Sequence, residues 1–212
     1  MLKKQVVVAV DGPDCTRKTT AVACACRQLV ELFGLKVQVF SEPGGSGYDF
    51  DAELRHMMLH DGTCTDRARR WMMLASHTYV QAVIAKSDAH VILLDRYGPT
   101  SAYAYQVCGQ FAPEILMAAY EAETLRVPDK IFIVLHDSAE ESWAEIEKVA
   151  EPDLVESKGQ DYHGLVYAGF EEQARFHERL KVEDSIDMGM KITEAAVGML
   201  DIDALGLKAA MA

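Results

Sequence analysis

The chain has 212 residues, half of them hydrophobic and 8% aromatic, enough for one globular domain with a sizeable core and too apolar for a disordered segment. Its 21 Lys and Arg against 33 Asp and Glu leave a formal charge of −12, which opposes long-range attraction to nucleic acid or an anionic membrane. An anionic ligand must be gripped by locally placed positive groups.

The first apolar run, residues 5–10, is too short for a signal-peptide core and far short of the ~20 residues that span a bilayer, so the chain reads as cytoplasmic. It is a strand over 6–10, and it leads into Gly12-Pro13-Asp14-Cys15-Thr16-Arg17-Lys18-Thr19-Thr20 and a helix over 18–33 ended by Gly34. Strand, loop and helix in that order are what a phosphate-binding P-loop requires. Backbone N–H groups, the helix dipole, a lysine and a hydroxyl for Mg²⁺ together offset a triphosphate's charge. Gly12, Lys18 and Thr19 fit GxxxxGK[ST], but Arg17 stands where the second glycine belongs. A side chain held left-handed there costs about 1–2 kcal/mol. Either the loop has lost phosphate binding, or Arg17 brings its guanidinium to the transferring phosphoryl group.

A strand over 37–40 is followed by Glu42-Pro43-Gly44-Gly45-Ser46, and a helix over 51–59 carries Leu54-Arg55. The helix expected over 69–86 has two adjoining apolar stripes, Met72, Tyr79, Val83 and Met73, Val80, Ile84. That face is wider than one sheet contact needs, so the helix is either deeply buried or also covered by a partner subunit. A strand over 91–94 runs into Asp95-Arg96-Tyr97. Asp95 falls at the carboxyl edge of its strand, where open α/β sheets bind ligands and a carboxylate can hold Mg²⁺. Arg96, like Arg55, can clamp a phosphate through two parallel hydrogen bonds.

A helix over 113–125, a strand over 131–135 and a helix over 192–200 complete the pattern, while 140–169, acidic and punctuated by Gly159, Gly164 and Gly169, reads as a mobile surface excursion. Short apolar strands separated by helix-length stretches argue for a parallel sheet covered on both faces, the α/β class. Cys15, Cys24, Cys26, Cys64 and Cys108 lack a paired metal-ligand spacing and are expected as reduced thiols. No repeat or Pro/Gly-rich linker divides the chain, so 1–212 is expected to be one domain.

The ordered series of loop, Glu42–Ser46, Leu54-Arg55, Asp95-Arg96-Tyr97, Thr100-Ser101 and Ala104-Tyr105-Gln106 resembles the thymidylate kinase family, with its EPGGT and DRY…S…AYQ blocks. The resemblance covers about residues 5–200. It implies a P-loop NTPase three-layer fold, a mostly parallel five-stranded sheet and a small lid at about 140–169. It implies ATP- and Mg²⁺-dependent phosphorylation of dTMP, or a close pyrimidine deoxynucleotide, by a homodimer. Gly12 through Thr20 would hold the ATP phosphates, with Arg17 and Lys18 acting in transfer; Thr19 and Asp95 would serve Mg²⁺. Arg55 and Arg96 would hold the acceptor phosphate, and Glu42, Met72, Ser101, Tyr105 and Gln106 would line the acceptor nucleotide. Tyr103 and Tyr105 are interchangeable candidates for the sugar. Asp14 either orients acceptor or metal near the transferred group or is a turn residue.

The chain departs from the family pattern at several points. Where the family carries Phe-x-x-x-Arg against the base, this chain has Met72-Met73-Leu74-Ala75-Ser76-His77. Trp71 is either a substitute stacking platform or core, and His77 reads as a satisfied core or surface histidine. Ser41 replaces the family's arginine before the EPGG block. The lid region contains Lys148 and Lys158 but no arginine, which makes Arg17 the natural replacement. These departures leave two alternatives: a kinase of a modified pyrimidine, as a nucleotide or as a hydroxymethylated base in DNA, and a non-catalytic nucleotide-binding protein. The −12 charge weighs against a DNA substrate, with Arg67, Arg69 and Arg70 expected as a solvated helix start.

Overall fold

The computed structural model describes residues 3–106 and 113–205; Cys108 lies outside them. Strands β1 (Val6–Asp11), β2 (Val37–Ser41), β3 (Val91–Asp95), β4 (Lys130–Leu135) and β5 (Glu178–Lys181) form one sheet in the order β2-β3-β1-β4-β5. Every pairing is parallel. The helices are α1 (Lys18–Phe33), α2 (Asp49–His60), α3 (Asp66–Ile84), α4 (Gly98–Gln106), α5 (Pro113–Glu123), α6 (Ala139–Ile146), α7 (Gln160–Gln173) and α8 (Ser185–Met199).

β1 and β3 are buried along their whole length, as near-continuous Val, Ile and Leu runs require when both faces are covered. Alternate side chains feed two cores. Val6, Val8 and Val10 pack with Leu29 of α1 and Met188 and Ile192 of α8. Val7 and Ala9 pack with Val80 and Ile84 of α3 and Phe170 of α7. A Cβ on Gly189 of α8 would lie 2.8 Å from Cys24 Cβ on α1, so the two helices approach through a glycine, and Cys26 packs against the same core. The described cysteines are free.

The segment 140–169 is not a surface excursion. It holds α6, a 3₁₀ turn at Glu156–Lys158 and the start of α7, with Val166 and Phe170 of α7 buried in the core. The glycines that suggest a loop have other reasons. A Cβ on Gly169 would meet Ala104 Cα at 2.8 Å, so glycine lets α7 lie on α4, whereas Gly164 faces open space. β5 eludes pattern reading because it is an edge strand, Glu-Arg-Leu-Lys, with Leu180 its one buried residue. α8 starts earlier than 192, capped by Asp184, whose carboxylate accepts from Ile186 N.

The wide face of α3 divides. Val80 and Ile84 enter the core, while Tyr79 packs against the half-exposed Tyr48 and Phe50. Trp71 is 44% exposed, so it is not core. Among the described residues no helix is long and apolar enough to cross a membrane.

Candidate active site

The site lies at the carboxyl edge of the sheet, where β1, β2 and β3 release their loops. Gly12 has φ 145°, and a Cβ there would lie 2.2 Å from Val134 O on β4, so no other residue fits. The loop ends at Arg17, which holds φ 61° as the residue preceding α1. This is the left-handed geometry a glycine serves at that point, adopted here by a side chain. Arg17 is exposed and lines the cavity over the loop.

Lys18 is 5% exposed and folds its ammonium back over the loop, donating to Pro13 O and, at 3.0 Å, to Thr16 Oγ1. Burial first, and Arg96 second, bring its pKa down to about 8 against the opposing pull of Asp14, Asp11 and Asp95. Thr19 Oγ1 donates to Asp95 Oδ2 at 2.7 Å. Thr20 is exposed and stands outside the group of residues facing the cavity.

Arg96, another side chain in the left-handed region with φ 76°, donates to Gly12 O at 3.1 Å and to Asp14. Tyr105 OH donates to the other oxygen of Asp14 at 2.8 Å. Burial alone would raise the Asp14 carboxyl, but Arg96, Lys18 and the Tyr105 hydroxyl together hold it below its ordinary value. Burial pushes the Tyr105 phenol far up. Asp14 is therefore an ionised member of the site and more than a turn residue. Tyr103 instead points away, donating to Glu172 at 2.7 Å.

Two cavities meet here. One, of about 600 Å³, is lined by residues 14–19 of the loop, residues 41–45, Arg55, Asp95 and Arg96. The other, of about 430 Å³, lies between α2, α3, α4 and residues 153–162. Asp14, Pro43, Arg55 and Arg96 belong to both and so form the wall that the two cavities share.

Several expected contacts are relocated. Met73 rather than Met72 lines the second cavity, because one residue along a helix turns the side chain by about 100°; Met72 instead contacts Cys64, sulfur to sulfur at 3.6 Å. Ser101 reaches that cavity, but its hydroxyl is committed to Asp11 at 2.8 Å, so it does not offer its proton to a base edge. The Glu42 carboxylate turns inward, accepting from Gly98 N at 2.6 Å with His77 Nδ1 at 3.0 Å; His77 is the satisfied core histidine. Gln106 lines the second cavity, and its Oε1 is buried with no hydrogen-bond partner among the described residues. Arg69 and Arg70 are not a solvated helix start. Arg70 is 8% exposed, and Arg69 donates to Met58 O at 2.9 Å and Cys64 O at 3.3 Å. Arg67 is exposed as expected.

Sequence reasoning missed Asp11, which accepts from Gly12 N at 2.8 Å, Thr100 at 2.5 Å and Ser101 at 2.8 Å and so fixes the loop to α4. Its signal was an acidic residue continuing an apolar strand directly into a glycine. It also missed the tie across the second cavity, where Leu154 N donates to Leu59 O at 3.0 Å and Lys158 Nζ to Asp66 Oδ1 at 2.7 Å.

A parallel sheet with a phosphate loop after β1, a hydroxyl–carboxylate pair beside it and two adjoining cavities define a nucleoside monophosphate kinase of the P-loop class. Among curated proteins, the chain is 30% identical to a thymidylate kinase of Caulobacter vibrioides, covering 94% of this chain and 97% of that one. It is 27% identical to a thymidylate kinase of Caldicellulosiruptor saccharolyticus, covering 81% and 84%. The chain belongs to the thymidylate kinase family. Among solved structures, a thymidylate kinase from Ehrlichia chaffeensis superposes with a TM-score of 0.70 over 91% of this chain and 98% of that one at 18% identity, which supports the fold. No family model matches the chain.

Proposed function

We propose that the protein transfers the terminal phosphoryl group of ATP to dTMP, or to a close pyrimidine deoxynucleoside monophosphate, within one domain and in the cytoplasm. The observation that carries this reading is the pair of cavities sharing Asp14, Pro43, Arg55 and Arg96. Such a junction lets an acceptor phosphate oxygen form its bond to the terminal phosphorus while the bond to the ADP oxygen breaks.

Lys18 and the backbone N–H groups of residues 12–18 bind the ATP phosphates. Thr19 and Asp95 present hard oxygen donors 2.7 Å apart, a donor set that suits Mg²⁺; when bound, the ion supplies neutralisation of phosphate charge. Arg55 and Arg96 bind the acceptor phosphate. Asp14, ionised and fixed by Arg96 and Tyr105, orients Arg96 at the junction, and Arg17 adds a guanidinium from the donor side. Tyr105, Gln106 and Met73 face the acceptor's sugar and base. The outer face of α3 with Tyr48, Phe50 and Tyr79 pairs two copies as a homodimer.

Incubating the protein with ATP, Mg²⁺ and each deoxynucleoside monophosphate in turn tests the reading: ADP should form fastest with dTMP. A modified pyrimidine monophosphate giving the higher kcat/KM would move the assignment to that base, which the absent Phe-x-x-x-Arg stretch favours. ATP binding with no ADP formed from any monophosphate would leave a non-catalytic nucleotide-binding protein.

A further inference from the structure

We propose that Ser76 and His77, neighbours on α3, are positioning residues for Arg55, acting through the loop Glu42–Gly44. The inference rests on the reading above that Arg55 holds the acceptor phosphate.

His77 is fully buried. Its Nε2 lies 2.9 Å from Thr124 Oγ1, whose own proton goes to Tyr120 O at 2.7 Å. Nδ1 lies 3.0 Å from Glu42 Oε2, which also accepts from Gly98 N at 2.6 Å. Each ring nitrogen therefore has a polar partner, Nδ1 on the Glu42 loop and Nε2 on Thr124. The chain reserves room for this pair: a Cβ on Gly98 would lie 2.7 Å from both Glu42 Oε2 and His77 Nδ1.

One residue back along α3, Ser76 Oγ accepts from Gly44 N at 3.1 Å. Two successive α3 side chains thus hold the loop on either side of Pro43. Pro43 O accepts from an Arg55 guanidinium nitrogen at 3.1 Å. Gly44, at φ 93°, lies so close beneath the arginine that a Cβ there would be 2.7 Å from Arg55 Cδ. Arg55 is laid on a bed that α3 fastens from below, and it faces both cavities. A long, flexible side chain fixed in this way gives up less freedom when a phosphate arrives. The stretch that lacks the family's base-contacting arginine therefore serves the phosphate end of the same substrate.

Steady-state kinetics of the full chain, at saturating ATP and with the monophosphate that the panel identifies as preferred, test the inference. Ser76→Ala removes one neutral hydrogen bond and should raise the acceptor KM about two- to tenfold with kcat little changed. His77→Asn, whose amide nitrogen replaces Nδ1, should retain more kcat/KM than His77→Gln, whose amide reaches toward Thr124; a purely core-tethering role gives the opposite order. In an Arg55→Ala background each effect should disappear. Effects that simply add to Arg55→Ala, or a Ser76→Ala protein with lowered thermal stability and unchanged acceptor KM, overturn the inference and leave the kinase reading intact. An Arg55→Ala protein with unchanged acceptor KM overturns the role given to Arg55, and the inference with it. If the His77 variants fail to fold, Ser76→Ala, which removes only a hydroxyl, decides the matter.

Discussion

Thr19 Oγ1 donates to Asp95 Oδ2 across 2.7 Å, joining the first turn of α1 to the carboxyl end of β3. In Asp95→Asn the side-chain oxygen can still receive that hydrogen bond, so the fold should hold while the negative charge is lost. Turnover should fall about 10²–10³-fold, the scale of removing one electrostatic group from a preorganised site. The Mg²⁺ concentration for half-maximal rate should rise. Rate measured across a Mg²⁺ titration checks both, and an unchanged Mg²⁺ requirement would remove Asp95 from the proposed metal site.

Arg17 separates stability from activity. Arg17→Gly relieves the left-handed backbone at φ 61° and should stabilise the fold by about 1 kcal/mol. The same change should lower kcat about 10³-fold, the lower range for an arginine acting on a transferring phosphoryl group. Thermal unfolding and turnover of one protein preparation read both quantities. Equal turnover in Arg17→Ala and the unaltered chain would end the catalytic assignment.

Lys18 gives opposite pH signs for binding and stability. Its folded pKa of about 8 lies below the ordinary 10.5, so between those values the unfolded chain carries the extra proton and stability rises with pH. Below pH 8 both states are protonated and the burial cost is fully present. Affinity for a triphosphate should fall as the pH of the ligand-free protein passes 8, because the ammonium is then lost. Chemical unfolding and nucleotide titration over pH 7–10 should slope in opposite directions; Lys18→Met should flatten both.

Two glycines should respond oppositely to alanine. Gly12→Ala forces a Cβ to within 2.2 Å of a backbone oxygen and should cost several kcal/mol. Gly164→Ala, inside α7 and facing open space, should stabilise by about 0.5–1 kcal/mol. Denaturant midpoints distinguish the two outcomes.

The elements with uniform character were legible in the sequence: β1 and β3 as unbroken apolar runs, α1 between the phosphate loop and Gly34. The phosphate loop itself was legible because its chemistry is local to nine residues. β5 and α7 were not, since a short charged edge strand and a helix carrying two glycines owe their form to the neighbours they pack on. Met73 was misread as Met72 because helix rotation, invisible in a motif, decides which side faces a cavity. The roles of Ser76, His77 and Asp11 depend on contacts 32, 35 and 90 residues apart in the chain, which no local pattern carries.

The four residues common to both cavities also bear on regulation of affinity. On the proposed reading, two nucleotides lean on the same Asp14, Pro43, Arg55 and Arg96, and a shared wall of this kind links their binding thermodynamically. Any factor by which the first nucleotide alters affinity for the second is returned in full when the order of addition is reversed. Substitutions along this wall will therefore register as changed cooperativity between the substrates, and titrating either one alone will understate them.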